Sequence, residues 1–390
     1  MEKKRKKPNI FLRLGASFLS LLLIAGAVCL VVFRDELNVD ALKRYITYRT
    51  LTKDAIGRAE SFPYDGMSTD VYANLNGSLL VAGSSGIRLY SPSGVLLEED
   101  QTILETPAIH TSGRYAVVYD LGGTALRLYG PEKQLLALDR EGTILFATVN
   151  SSGWMAVTHQ SGGHKGVVTV FGGKQEKKMQ FNFSSRFVTD ALVTEDNSSL
   201  AVVTIGQEEE GFQSSLLFYS LNAALEAGTH HDTAPVSQHA LGNVVFLSLT
   251  SGNNTLRLPG DNSLLLCSPS GETALYDYNG RYLKDFSLGG DSYSLLLLGK
   301  YRAGNASEVI IVNDRGNVSG ELSFTEQVLS ISAAGRYIGI LTADRLDIYT
   351  QDMILYSSLE GTSGARRVLM QSDGSALLIG NTTAQFYLPN

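Results

Sequence analysis

The residues best suited to metal chemistry are His230, His231, Asp232 and His239, because imidazole and carboxylate are good zinc ligands. Their spacing matches no standard zinc site, and the surrounding stretch, Leu221 to Ala240, reads as a polar surface excursion. Glu208, Glu209 and Glu210 could gather around calcium, but no alternating Asp/Asn loop surrounds them, and they read as a charged hairpin tip. Ser84, Ser93 and Ser161 lie near glycines, yet no Gly-x-Ser-x-Gly elbow precedes a helix. Gly122-Gly123 and Gly172-Gly173 read as turns rather than phosphate loops, since neither opens a helix. Cys29 lies in an apolar run and Cys267 in a strand-like segment, so no disulfide framework or CxxC site is present. Asn-x-Ser/Thr acceptors at Asn76, Asn150, Asn182, Asn305 and Asn381 are what turns rich in Asn and Ser produce. This reading assigns no catalytic residue, no cofactor ligand and no metal ligand, and it expects no enzymatic activity.

The elements that would position any site are more legible. A turn followed by an apolar strand recurs at Asn76-Gly77, Ser112-Gly113, Ser152-Gly153, Ala334-Gly335 and Asp373-Gly374, with weaker copies at Asn197-Ser198, Asp261-Asn262 and Leu298-Gly299. Most intervals are about one four-stranded propeller blade long. The first blade is complete: Asp70–Ala73, Leu79–Ala82, Ile87–Tyr90 and Val95–Leu97, joined by turns at Asn76-Gly77, Ser84-Ser85-Gly86 and Pro92-Ser93-Gly94. An aromatic often closes the third strand: Tyr90, Tyr129, Phe171, Tyr219, Tyr276, Tyr349 and Tyr387, a pattern that fits packing between blades. The last anchor leaves room for only one strand beyond its own. A run near Arg58 to Pro63 is therefore expected to supply the missing outer strand and close the ring. The expectation is an all-β, eight-bladed β-propeller with N-terminal strand closure, with seven blades as the alternative and no helix inside it.

Charge is distributed unevenly. Lys3, Lys4, Arg5, Lys6, Lys7, Arg13 and Arg34 are seven of the 32 basic residues, whereas the chain from residue 35 onward carries 25 basic and 38 acidic residues. An acidic body repels nucleic acid, so no nucleic-acid partner is expected. The segment from Leu14 to Phe33 contains no charge and is long enough, at ~1.5 Å per residue, to cross a bilayer. Ala25-Gly26-Ala27 has the form of a cleavage site, but apolar residues continue to Phe33, which favours an uncleaved anchor. The positive-inside rule then places residues 1–13 in the cytoplasm and residues 35–390 outside. Leu37, Ala41, Leu42, Tyr45 and Ile46 recur at helical spacing, with Asn38 or Asp40 as a cap, so residues 34–56 read as a juxtamembrane amphipathic helix and linker before a propeller at 57–390.

The Ser/Asn-x-x-Gly turn before an apolar strand resembles WD40-like and lactonase-like propellers. The Trp-Asp dipeptide of WD40 repeats is absent, and Trp154 is the single tryptophan, so the quinoprotein docking motif is missing too. The basic N-terminus, the apolar run, the Lys43-Arg44-Tyr45-x-x-Tyr48-Arg49 pattern and the propeller together resemble an uncharacterised bacterial family of single-pass membrane proteins. That resemblance implies a cell-membrane location with an extracytoplasmic propeller and carries no assigned activity. The role expected is a protein-interaction scaffold in the envelope, with a protein partner; the alternatives are a small-ligand sensor and a hydrolase or lactonase-like enzyme.

Overall fold

A computed structural model describes residues 17–21, 24, 39–67, 69–139, 142–208, 211–227, 234–268 and 271–389. The chain divides into two compact units, Met1–Arg49 and Thr50–Asn390. In the first, helix α1 (Val39–Thr47) carries Asp40 in its first turn and Arg44 in its last, the order that suits the helix dipole. Most of the apolar run 14–33 lies outside the described residues. Among the described residues no helix is long and apolar enough to cross a membrane.

The second unit holds eight four-stranded antiparallel sheets, the blades. Their inner strands are Val71–Leu75, Pro107–Ser112, Ile144–Val149, Phe187–Val193, Thr250–Gly252, Tyr282–Ser287, Ser330–Ala334 and Arg367–Met370. Second and third strands are buried on both faces, as in Ser78–Gly83 of blade one and Gly166–Phe171 of blade three. Each apolar cluster spans two adjacent blades. Leu80, Ala82 and Leu89 meet Ala116, Val118 and Tyr129 across the first junction, and Tyr337, Ile348, Val368 and Leu378 meet across the seventh. At about 1.5–3 kcal/mol per buried large aliphatic, these junctions hold the ring together, because a lone blade has nothing to cover its faces.

The ring closes through the N-terminal side, as the pattern predicts. Phe62–Pro63 pairs antiparallel with Thr383 and Ala384, the Ala59 N–H donates to the Phe386 carbonyl, and the Leu388 N–H donates to the Gly57 carbonyl. Phe62 faces Tyr90 of blade one at 6.3 Å between ring centroids. Gly94 is required here: it sits at φ +79°, and a Cβ would lie 2.3 Å from Phe62 Cβ.

Three expectations are corrected. Asn262 and Gly299 do not mark the first turn of their blades; they sit at the turns between second and third strands of blades five and six, whose first turns are at Asn253-Asn254 and at 288–292. A turn followed by an apolar run announces any fully buried strand, and each blade has two, so the signal is degenerate. For the same reason Tyr276 belongs to an outer strand, Thr273–Asp277, while the third strand of blade five ends at the buried Cys267. Finally, the propeller does contain a helix, α2 (Leu221–Ala227), in the excursion of blade four, where Leu221 and Ala224 join the core beside Tyr219.

Candidate functional site: the central channel

Among the described residues, those singled out for chemistry are not assembled into a site. Of the proposed metal set, His230, His231 and Asp232 lie outside the described residues. His239 is not in a loop; it stands opposite Leu216 in the outer strand of blade four, edge-on to Phe218. Among the described residues no group of three or more His, Cys, Asp or Glu is placed to hold a metal ion. Glu208 pairs with Gly211 at the end of a long hairpin and bonds Arg186 at 2.9 Å; Glu209 and Glu210 lie outside the described residues. Ser84, Ser93 and Ser161 fall on separate turns, two in blade one and one in blade three. Cys267 is a fully buried core thiol whose pKa burial pushes up to about 11.

The larger concavities lie along the axis of the ring. One mouth is a cavity of about 1020 Å³ reached from the turns joining second and third strands, and it includes Asp70, Asp261, Lys284, Asp285, Arg302 and Arg366 with Arg367. The other, about 990 Å³, lies at the turns joining first and second strands and is lined mostly by Ser, Thr, Asn and Gly, with Tyr72, His110 and Asp291 as its titratable groups. Blades three and four line neither. The reason is a contact across the axis: His110 Nε2 of blade two lies 3.4 Å from Thr250 Oγ1 of blade five. Ser112 Oγ of blade two likewise reaches Glu195 of blade four at 3.4 Å. Blades two to five therefore fold in on themselves, and the channel is eccentric.

Along the wall, polar groups stitch one inner strand to the next. The Val149 N–H donates to His110 Nδ1 at 3.3 Å, and Thr148 Oγ1 donates to the Ala191 carbonyl at 2.6 Å. Asp190 accepts the N–H of Ala191 at 2.8 Å and, across the blade junction, that of Leu249 at 2.9 Å. Asp285 repeats this device, accepting the N–H groups of Phe286 and Ile331. Ser287 accepts from Ala333, and Ser332 accepts from Met370, both at 2.9 Å. Both aspartates follow a β-bulge, at Thr189 and at Lys284, which turns the carboxylate towards the next blade. The sequence signal was available: Thr189-Asp190-Ala191-Leu192 and Lys284-Asp285-Phe286 each put a carboxylate inside an otherwise apolar strand.

These surroundings shift the protonation equilibria. Burial pushes Asp190 up to about 7 against the two N–H donors that favour its anion. Burial also raises Asp285, which its two N–H donors and Arg367 oppose. His110 is pushed down to about 4 by burial, although its side chain is only half-buried by exposure, because neighbouring blades crowd the ring. A neutral His110 that accepts at Nδ1 carries its proton on Nε2, so Nε2 donates towards blade five and cannot take a proton from Thr250. A second hydroxyl–imidazole pair has the opposite arrangement. His159 Nε2 lies 3.1 Å from Thr169 Oγ1, with Nδ1 3.2 Å from the Gln160 carbonyl, but Thr169 is fully buried between strands and no substrate reaches it.

One buried cation was missed by sequence reasoning. Arg257 of blade five has no exposed surface; it donates to the carbonyls of Leu288, Gly290 and Asp291 and pairs with Asp314 at 3.1 Å, tying blade five to blade six. Arg127 does the same between blades one and two, bonding Asp100 at 2.7 Å and Thr102 at 2.7 Å.

A family model matches residues 45–384, nearly the whole propeller with part of the helix before it. The chain belongs to DUF5711, a family of unknown function. No curated protein matches the sequence of this DUF5711 chain. Among solved structures it is similar to BamB from Moraxella catarrhalis (11% identity, covering 85% of this chain and 99% of that one, TM-score 0.51). It is also similar to the C-terminal WD40 domain of Sif2 (12% identity, 86% and 96% covered, TM-score 0.54). The quinohemoprotein alcohol dehydrogenase ADHIIG from Pseudomonas putida HK5 aligns at 9% identity, covering 85% and 75%, with TM-score 0.51. At these identities the likeness is one of fold, and DUF5711 here has the WD40- and BamB-like propeller without the Trp-Asp dipeptide of WD40 repeats.

Proposed function

We propose that this DUF5711 propeller is a protein-interaction scaffold of the cell envelope, tethered to the membrane through residues 14–33 and displayed outside it. The observation that carries the scaffold reading is that three acid–base groups of the inner strands are spent on the architecture. His110, Asp190 and Asp285 each bond a neighbouring blade, and the Nδ1 of His110 is taken up by the Val149 N–H. What the ring offers instead is a rigid rim of turns and a partly apolar flank. Val95, Leu96, Leu97 and Ile103 of blade one are all exposed. BamB and WD40 propellers share the fold, which is compatible with a protein partner but does not name one. The membrane part of the proposal is supported by the uncharged run, by the basic residues before it and by the acidic body after it.

Two measurements test this reading. A Ser93→Cys variant in intact cells should react with a membrane-impermeant maleimide, whereas Cys267 is buried; labelling that appears only after lysis overturns the topology. Full-length protein extracted in mild detergent should retain a defined partner, identified by mass spectrometry and lost in a Val95→Asp/Leu97→Asp variant. Identical retention by that variant overturns the role of the flank.

A further inference from the structure

We propose that the charged mouth of the channel binds a small polyanion, a molecule bearing two or more carboxylate or phosphate groups. Arg88, Arg186, Arg257, Arg281 and Arg345 each bond a carboxylate at 2.6 to 3.1 Å. Arg302, Arg366 and Arg367 make no side-chain hydrogen bond or ion pair among the described residues, and all three line the same mouth. In a chain of net charge −7 with acid in excess, exposed arginines left without partners are not expected to cluster by accident at one recess.

Backbone geometry directs the cations there. Lys284 is the extra residue of the bulge in the inner strand of blade six; its ammonium donates to the Gly304 carbonyl at 2.6 Å. Arg302 lies over the ring of Tyr282, with its guanidinium carbon 5.4 Å from the centroid, a stacking that leaves the planar N–H fork available. Arg366 and Arg367 stand together where blade eight enters the channel, the Arg366 backbone fixed by its N–H to the Ile379 carbonyl at 2.7 Å.

The carboxylates of the same mouth each accept a backbone N–H. Asp70 accepts the Met67 N–H at 2.7 Å, Asp261 accepts the Val245 N–H at 3.2 Å, and Asp285 accepts the Phe286 N–H at 2.9 Å. Asp285 is also the carboxylate whose burial favours its neutral form. Four cations therefore line the recess, three of them without a hydrogen-bonded side-chain partner, beside three carboxylates that each accept a backbone N–H. Guanidinium forks suit carboxylate and phosphate oxygens in bidentate pairs. A volume of about 1020 Å³ suits a small molecule rather than a folded partner. The proposal does not rest on the scaffold reading and stands or falls separately from it.

The test is calorimetric titration of full-length protein in mild detergent at low ionic strength, with citrate in one arm and inorganic pyrophosphate in the other. At least one probe should bind saturably, and added salt should weaken it; the arm that binds more tightly identifies carboxylate or phosphate as the preferred group. Arg366→Gln/Arg367→Gln should weaken binding by about tenfold or more, the loss expected for two charge-assisted contacts. Arg315→Gln, an exposed arginine on a turn of blade six outside the mouth, should leave binding unchanged. Should the double variant fail to melt cooperatively, Arg302→Gln gives the same readout from a loop position. The proposal is overturned by binding of neither probe, or by equal binding in wild type and the mouth variants.

Discussion

Blades two to five and blades six to one solve the same packing problem differently. On the first side the inner strands draw together until His110 meets Thr250 and Ser112 meets Glu195, and blades three and four line neither cavity. On the other side the inner strands stay apart, and the space between them carries the unpaired arginines. The two sides use the same stitches: Asp190 to Leu249 on one, Asp285 to Ile331 on the other. The difference lies in what surrounds the stitch. Asp190 lies among crowded inner strands and is pushed up to about 7. Asp285 opens onto the charged mouth, with Arg367 opposing the effect of its burial. The channel is thus made eccentric by how far one short inner strand leans inwards, and blade five supplies that strand, Thr250–Gly252, only three residues long.

The largest effect is expected where the two halves join. Arg257 is the cation that ties blade five to blade six, and Arg257→Leu leaves Asp314 and three carbonyls without their donor. Breaking a buried pair from one side costs about 3–5 kcal/mol. Urea denaturation of the variant should show that loss; a midpoint within error of wild type would mean that the seam is held by the apolar cluster of Leu264, Leu296 and Ile310 alone.

The next effect is confined to the closed side and depends on pH. Asp190 has its folded pKa raised to about 7 from an ordinary 3.8, so its contribution is fully present below pH ~4 and is lost as pH rises through 7. His110 has its folded pKa lowered to about 4 from 6.5, so its contribution has the opposite sign and is gained as pH rises from 4 to 6.5. The two oppose each other below 6.5, and Asp190 acts alone above it. Stability should therefore decline from pH 6.5 to 8, and Asp190→Asn should abolish that decline while costing about 1–3 kcal/mol at pH 5 through a lost N–H acceptor. His110→Gln should leave a decline across the whole range from 4 to 7. Parallel thermal melts of the three proteins decide the matter, and matching pH profiles would remove the contrast between the sides.

The smallest effect tests the contact that closes the axis. Thr250→Val keeps the shape and removes a 3.4 Å hydrogen bond, which is long for its type, so a loss below about 1 kcal/mol is expected. Hydrogen exchange at Leu249 and Val149 is the sensitive readout: faster exchange at both would show that the contact holds blades two and five together, and no change would assign the closure to the apolar packing around Leu249.

Much of the fold was legible in the chain. Turn residues such as Asn76 and Gly94, the apolar runs after them and the strand missing beyond Gly374 were enough to specify eight blades closed by residues near Arg58 to Pro63, because turn chemistry and burial are local properties repeated in every blade. Which turn was which was not always legible: Asn262 and Gly299 were displaced by one strand, since second and third strands of a blade are equally buried. The candidate site was almost invisible. His110, Asp190, Arg257 and Arg367 lie in different blades and bear no mutual spacing in sequence, and their environments exist only once eight sheets converge on one axis. Composition and pattern determined that this chain would build a ring; how far blade five leans into it, and hence how eccentric the channel is, was decided by tertiary contacts such as that between His110 and Thr250, 140 positions apart.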